Sequence, residues 1–140
     1  MNQNMINMES MIRYYHSQQL RNDKGIIIMP KIPYIDHLYS VESVLQSVFA
    51  ITDDIFDEQI KNDMCCVALG HDLLEDTSVS EDEISDSTNE HVLSLIKELT
   101  NPDDDDHTDR YMDQLKHASE EARLIKYADL IFVKASVLTG

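Results

Sequence analysis

The chain has 140 residues, of which 42% are hydrophobic and 27% charged, proportions typical of one soluble globular domain spanning residues 1–140. Asp and Glu number 27 against 11 Lys and Arg, and the net charge of −16 argues against a nucleic-acid polymer or an anionic membrane as partner, since both are bound through clustered basic residues. The chain holds no apolar run of about 20 residues and no signal peptide is recognisable. With only three Gly and three Pro, an all-α fold is predicted.

Apolar residues at helical spacing predict six main helices. We expect them at residues 5–20, 34–51, 57–75, 89–99, 107–117 and 120–138. The stretch 21–33, with one Gly and two Pro, separates the first two. The acidic, Ser-rich residues 77–88 are predicted to form a loop with at most one short helix begun by Ser80, because Ser80 and Glu83 have capping-box spacing. Four consecutive aspartates at 103–106 indicate a solvated loop or a helix start.

The cysteines Cys65 and Cys66 are adjacent within an apolar helical run. Neighbours on a helix point about 100° apart, so a disulfide between them would be strained. They are therefore interpreted as small core residues of a reduced, cytoplasmic protein.

The segment 70–77 is the most informative part of the chain. His71 and Asp72 end an apolar helical run, where charged groups are costly unless they are paired or bind a metal. Glu75 and Asp76 follow them by four residues each, so that each pair would share a helix face. An imidazole with carboxylates suits Mn²⁺, Fe²⁺, Zn²⁺ or Mg²⁺. Two further candidate ligands are flanked by apolar residues: His37 begins a helix, and Asp129 lies in the most apolar stretch of the last one.

The candidate ligands and the residues around them resemble the motifs of a known family. The order His…His-Asp…Asp resembles the HD superfamily of metal-dependent phosphohydrolases, a compact multi-helix bundle, and the finer pattern resembles the hydrolase domain of RelA/SpoT proteins, including small stand-alone hydrolases. The matching segments are His16-x-x-Gln19-x-Arg21, Tyr34-Ile35-Asp36-His37, His71-Asp72-Leu73-Leu74-Glu75-Asp76-Thr77 and Lys126-Tyr127-Ala128-Asp129. They stand in the family's order.

The resemblance implies a hydrolase of guanosine tetra- and pentaphosphate that removes the 3′-pyrophosphate with the help of a divalent metal. In the best-known members of the family this metal is Mn²⁺. The implied metal ligands are His37, His71, Asp72 and Asp129. The implied catalytic groups are Glu75 and Asp76, which would orient and deprotonate the attacking water. Arg21 matches a residue that contacts the guanine. Arg21 and Lys31 are the predicted substrate contacts, with surface charges as the alternative.

The sequence also departs from the family pattern. Leu130 and Val133 stand where a basic residue and a nucleoside-binding Asn are expected, and Asn22 replaces a second basic residue. The chain ends at Gly140, earlier than a usual domain of this kind, and a homo-oligomer is one way to cover apolar surface left exposed. Two alternatives stay open: a phosphatase acting on another nucleotide, and an inactive metal- or nucleotide-binding regulatory module. The pair Glu75 and Asp76 favours an enzyme, whereas Leu130, Val133 and the early end favour the regulatory module.

Each of these residues also has a simpler structural interpretation. Taken singly, His37 could be an ordinary helix-start histidine, and Glu75 with Asp76 a solvated acidic face. Lys126 lies three residues before Asp129 and could pair with an acidic neighbour instead of touching substrate.

Overall fold

The structure is a computed structural model that describes residues 2–16, 34–52, 55–102 and 109–139, the last eight of these by their backbone alone. Within these ranges it consists of helices and has no strand, and the predicted all-α fold class is confirmed. The helices are α1 (Gln3–His16), α2 (Tyr34–Thr52), α3 (Glu58–Gly70), α4 (Leu73–Asp76), α5 (Glu81–Ser87), α6 (Glu90–Leu99), α7 (Asp109–Lys116) and α8 (Glu120–Thr139).

Helix α3 is the centre of the bundle. Its last eight residues, 63–70, are all buried, and it contacts α1, α2, α6 and α8. Apart from Asp63 the run is apolar on all sides, as a helix surrounded by others requires. Aliphatic side chains of the surrounding helices close the core around it, among them the fully buried Met8, Leu45, Ile96 and Ile125. The C-terminal end of α3 is thereby held between the helices that carry the other candidate site residues.

Side-chain caps begin several of the described helices, among them α3, α5 and α6. Asp57, Ser80 and Asn89 stand before α3, α5 and α6, and each accepts a hydrogen bond from a backbone N–H of the first turn. The short helix predicted after Ser80 is confirmed by this cap and by the bounds of α5. The Glu83 carboxylate accepts a hydrogen bond from the Tyr15 hydroxyl at 2.5 Å, which ties α5 to α1.

The prediction of one helix over 57–75 is wrong at its end. Helix α3 stops at Gly70, His71 and Asp72 form a turn, and α4 begins at Leu73. The His71 ring gives the physical reason, because its Nδ1 donates a hydrogen bond to the Ala68 carbonyl at 2.8 Å. A side chain that donates to a backbone carbonyl competes with the backbone N–H that would otherwise continue the helix.

Two predicted segments lie partly outside the described residues. The described part of α1 runs to His16, and the predicted continuation to residue 20 falls in the undescribed stretch 17–33, which also holds Arg21 and Lys31. The four aspartates at 103–106 are also outside. Among the described helices, none is both long and apolar enough to cross a bilayer.

Candidate metal centre

Two histidines and an aspartate from three parts of the bundle meet beside the end of α3. His37 comes from the first turn of α2, His71 from the turn after α3, and Asp129 from the middle of α8. Each offers one ligand atom, and these atoms all lie within 4.8 Å of one another. Both imidazoles are about 5% exposed, and the carboxylate is 14% exposed. A buried group of imidazole and carboxylate donors at this spacing could hold a divalent metal.

The His71 ring is oriented for a cation. Because Nδ1 carries the proton given to the Ala68 carbonyl, the neutral ring presents the lone pair of Nε2 to the site. That buried atom has no hydrogen-bond partner among the described residues, and it lies 3.3 Å from Asp72 Oδ2 and 3.9 Å from Asp129 Oδ1. Burial alone would lower the pKa of His71, but the two carboxylates outweigh it and raise the pKa. The pocket therefore favours positive charge, which fits a bound cation.

Asp129 is held in its charged form by its neighbours. Its Oδ1 accepts a hydrogen bond from His37 Nε2 at 2.9 Å, and Lys126 Nζ lies 3.7 Å from its Oδ2. Burial by itself would raise the pKa of Asp129, but the His37 hydrogen bond and the charges of His71 and Lys126 hold that pKa well below its usual value. A carboxylate on an otherwise apolar helix is thus kept ionised, the form that ligates metals. The contact also agrees with the expectation that Lys126 pairs with an acidic neighbour.

Asp72 adjoins this group and takes a hydrogen bond from the Tyr34 hydroxyl. It does not belong to the three residues whose ligand atoms lie within 4.8 Å of one another. The Tyr34 ring stands between two imidazoles, with centroids 5.1 Å from His16 and 5.8 Å from His37. Burial, followed by the charge of Asp72, raises the pKa of Tyr34, so the hydroxyl stays a donor. Sequence reasoning missed Tyr34, and its only signal was its place in the motif that contains His37.

The two predicted catalytic carboxylates lie on α4, outside the His37, His71 and Asp129 cluster. Glu75 and Asp76 are exposed, and their charges act on two tyrosines at the rim of the site, Tyr111 and Tyr34 respectively. The expected shared helix face is changed, because His71 and Asp72 lie in a turn. A hydrogen bond from the Asp76 amide to the Asp72 carbonyl at 2.9 Å keeps α4 directly against that turn.

The remaining positions singled out from the sequence are Arg21, Lys31, Leu130 and Val133. Arg21 and Lys31 lie outside the described residues. Leu130 follows Asp129 on α8 and is 47% exposed, so the apolar side chain at this position faces solvent and not the core. Nothing is described of the Val133 side chain.

A helical bundle that brings His from α2, His-Asp from the turn after α3 and Asp from α8 to one end of a central helix resembles the pattern of an HD phosphohydrolase. Comparison with known proteins gives the same class. The chain is 31% identical over 120 residues to the guanosine-3′,5′-bis(diphosphate) 3′-pyrophosphohydrolase MESH1 of Xenopus tropicalis, covering 84% of this chain and 60% of the relative. The MESH1 proteins of Drosophila melanogaster and Homo sapiens are 29% and 30% identical over 83% and 84% of this chain, which covers 59% and 60% of them.

A solved structure supports the relationship. It is described as a metazoan orthologue of SpoT that hydrolyses ppGpp, and it superimposes with a TM-score of 0.70 at 27% identity over 92% of this chain and 67% of its own. No protein-family model matches the chain. The chain spans about three fifths of the length of the MESH1 relatives. The chain is thus similar over most of its length to these guanosine-3′,5′-bis(diphosphate) 3′-pyrophosphohydrolases, and the similarity supports an HD-type hydrolase fold.

Proposed function

We propose that the chain is a metal-dependent hydrolase that releases pyrophosphate from the 3′ position of guanosine-3′,5′-bis(diphosphate), ppGpp, the substrate in the names of its relatives. The observation that carries this proposal is the set of three ligand atoms within 4.8 Å of one another. The proposed substrate is a small nucleotide, and the proposed location of the protein is the cytoplasm. The two free, buried cysteines are in keeping with a reducing compartment.

The proposed ligands are His37, His71, Asp72 and Asp129, and the proposed metal is Mn²⁺. Asp72 joins the set because its Oδ2 is 3.3 Å from His71 Nε2. A divalent cation bound there lowers the pKa of its water and draws negative charge from the phosphoryl oxygens. The family resemblance favours Mn²⁺ among the ions that suit these donors.

Glu75 and Asp76 are the proposed acid–base groups. Both stand one turn beyond the proposed ligands on α4 and are exposed, so water and substrate can reach them. A carboxylate in this place can accept the proton of the attacking water and orient it. Arg21 and Lys31 remain proposed substrate contacts on the strength of the motif that contains Arg21.

Asp129→Asn tests the proposed site, with Asp36→Asn as its matched control. Both variants remove one carboxylate charge, but Asp36 is exposed and lies beside His37 without being part of the cluster. Pyrophosphate release from ppGpp with Mn²⁺ should fall more than about a hundredfold in Asp129→Asn, since ligand loss removes the cation that activates water. Asp36→Asn should stay within about twofold of the natural chain, because the exposed Asp36 carboxylate is not one of the clustered ligand groups and exposed substitutions have small effects.

A panel of nucleotides separates the proposal from its alternatives. Release only from nucleotides other than ppGpp would assign a different phosphatase, and Mn²⁺ binding by calorimetry without release from any nucleotide would assign a regulatory module. Either outcome would overturn the proposed reaction. Equal loss of activity in both variants would remove the site assignment.

A further inference from the structure

The outer face of α8 carries an apolar stripe that no described residue covers. Tyr127, Leu130 and Ile131 stand at the helical spacing i, i+3 and i+4, so they lie on one face of the helix. They are 62%, 47% and 38% exposed, and Met112 of α7 is 54% exposed. These are four of the eight large apolar side chains that are exposed among the described residues. Such a cluster on a water-facing surface marks an interaction site.

The stripe borders a groove of about 560 Å³ between α7 and α8 that carries charges of both signs. We call it the α7/α8 groove and define it by its four exposed charged residues, Asp109, Asp113, Lys116 and Arg123. Lys116, Arg123 and Asp109 have no hydrogen-bond or ion-pair partner among the described residues. Asp113 has only the exposed His117, with Oδ1 and Nδ1 3.5 Å apart. The charges of the groove are therefore available to a partner.

The mixture of charges indicates which kind of partner fits. A small anionic ligand would pair with Lys116 and Arg123 but would meet repulsion from Asp109 and Asp113. A second copy of the chain, related by a twofold axis, presents the same groove in the opposite direction. The cations of each copy then face the carboxylates of the other, and the same contact covers the apolar stripes of both.

We propose that the α7/α8 groove and the apolar stripe form the interface of a homodimer. The dimer pairs the two cations of each groove with the two carboxylates of the other and packs the Tyr127 ring against the second copy. Tyr127 precedes Asp129 by two residues, which is about 200° around the helix, so the interface faces away from the proposed metal centre. Each copy thus keeps its own site, and the dimer is independent of the proposed function.

Two charge-reversal variants test the interface together. Lys116→Glu/Arg123→Glu places carboxylates against carboxylates, and Asp109→Lys/Asp113→Lys places cations against cations. Each variant alone should dimerise at least about a hundredfold more weakly than the natural chain, because like charges face each other twice. Mixed in equal amounts, the two should form a heterodimer within about tenfold of the natural affinity, since opposite charges face each other again. Analytical ultracentrifugation measures the dimer dissociation constant of each sample.

The matched control is Arg13→Glu/Lys97→Glu, which reverses two exposed cations on α1 and α6, and it should dimerise like the natural chain. A second test leaves the charge unchanged. Tyr127→Ser/Leu130→Ser removes apolar surface from the stripe and should weaken the dimer at least about tenfold. Circular dichroism shows whether each variant keeps its helices.

The outcomes are distinct. A natural chain that stays monomeric at about 100 µM would overturn the proposal, because a second copy would then not fill the groove. Dimers that persist in either folded reversal variant would overturn it as well, and so would a mixture of the two folded variants that stays monomeric. Should a reversal variant unfold, the serine variant decides, since undiminished dimerisation there would place the interface elsewhere. Pyrophosphate release enters none of these measurements, so the proposed reaction stands or falls separately.

Discussion

Two hydrogen bonds set the direction of the side chains around the proposed metal. One joins His71 Nδ1 to the Ala68 carbonyl and leaves Nε2 facing the site. The other joins the Tyr34 hydroxyl to Asp72 and fixes one carboxylate oxygen. Partners of this kind behind a ligand orient it and tune its basicity. We therefore interpret Tyr34 as a positioning residue that acts through Asp72.

Tyr34→Phe should weaken Mn²⁺ binding by about ten- to a hundredfold, because the Asp72 carboxylate loses the donor that orients it. Isothermal calorimetry of the metal-free protein measures this without any enzyme assay. Tyr39→Phe on the same helix is the control, since the Tyr39 hydroxyl accepts its hydrogen bond from Arg13. Equal Mn²⁺ affinity in the natural chain and Tyr34→Phe would exclude the positioning role.

At the scale of the elements, the contact between α1 and α3 depends on the absence of a side chain at Gly70. A Cβ built there would lie 2.5 Å from the Met8 Sδ and 2.7 Å from its Cε. Met8 is fully buried, so its thioether has little room to move away. The glycine thus lets α1 pack closely against the end of α3, where His71 follows.

Gly70→Ala should destabilise the fold by about 1–2 kcal/mol, because overpacking a core outweighs the better helix propensity of Ala. Urea unfolding followed by circular dichroism measures this free energy. In a Met8→Ala background the same change should cost nothing or stabilise, since the clashing atoms are gone. An equal cost in both backgrounds would place the origin of the effect outside this contact.

At the scale of the whole molecule, the two thiols of α3 link global stability to alkaline pH. Burial raises the pKa of Cys65 to about 12, with Glu42 adding to the shift. Burial likewise raises the pKa of Cys66 to about 12, with Asp63 adding to it. The unfolded thiols titrate near 8.5 to 9. Between these pH values the folded chain keeps two protons that the unfolded chain releases.

The free energy of unfolding should therefore be unaffected by the thiols below about pH 8.5 and fall above it, by about 1.4 kcal/mol per pH unit for each thiol. Urea unfolding at pH 8, 9 and 10, compared with Cys65→Ala/Cys66→Ala, isolates this contribution from other titrations. The natural chain should lose stability more steeply than the double variant. Parallel curves for the two proteins would mean that the thiols titrate equally in both states.

Features that depend on residues close together in the sequence could be predicted from it, and features that depend on distant residues could not. Helical periodicity, the Ser80 cap and the all-α class depend on residues within about four positions of one another, so the sequence alone determined them. The end of α3 escaped prediction, because the ring of His71 takes a carbonyl from the helix and the turn is set by side-chain geometry.

The sequence also supplied the identities of His37, His71 and Asp129 as candidate ligands, but not their meeting. Asp129 is 92 residues from His37, and only the packing of α2 and α8 beside α3 brings Nε2 and Oδ1 to 2.9 Å. The Tyr34 hydrogen bond to Asp72 was likewise decided by tertiary structure. Distances between helices depend on how whole faces interlock, and no local pattern records that.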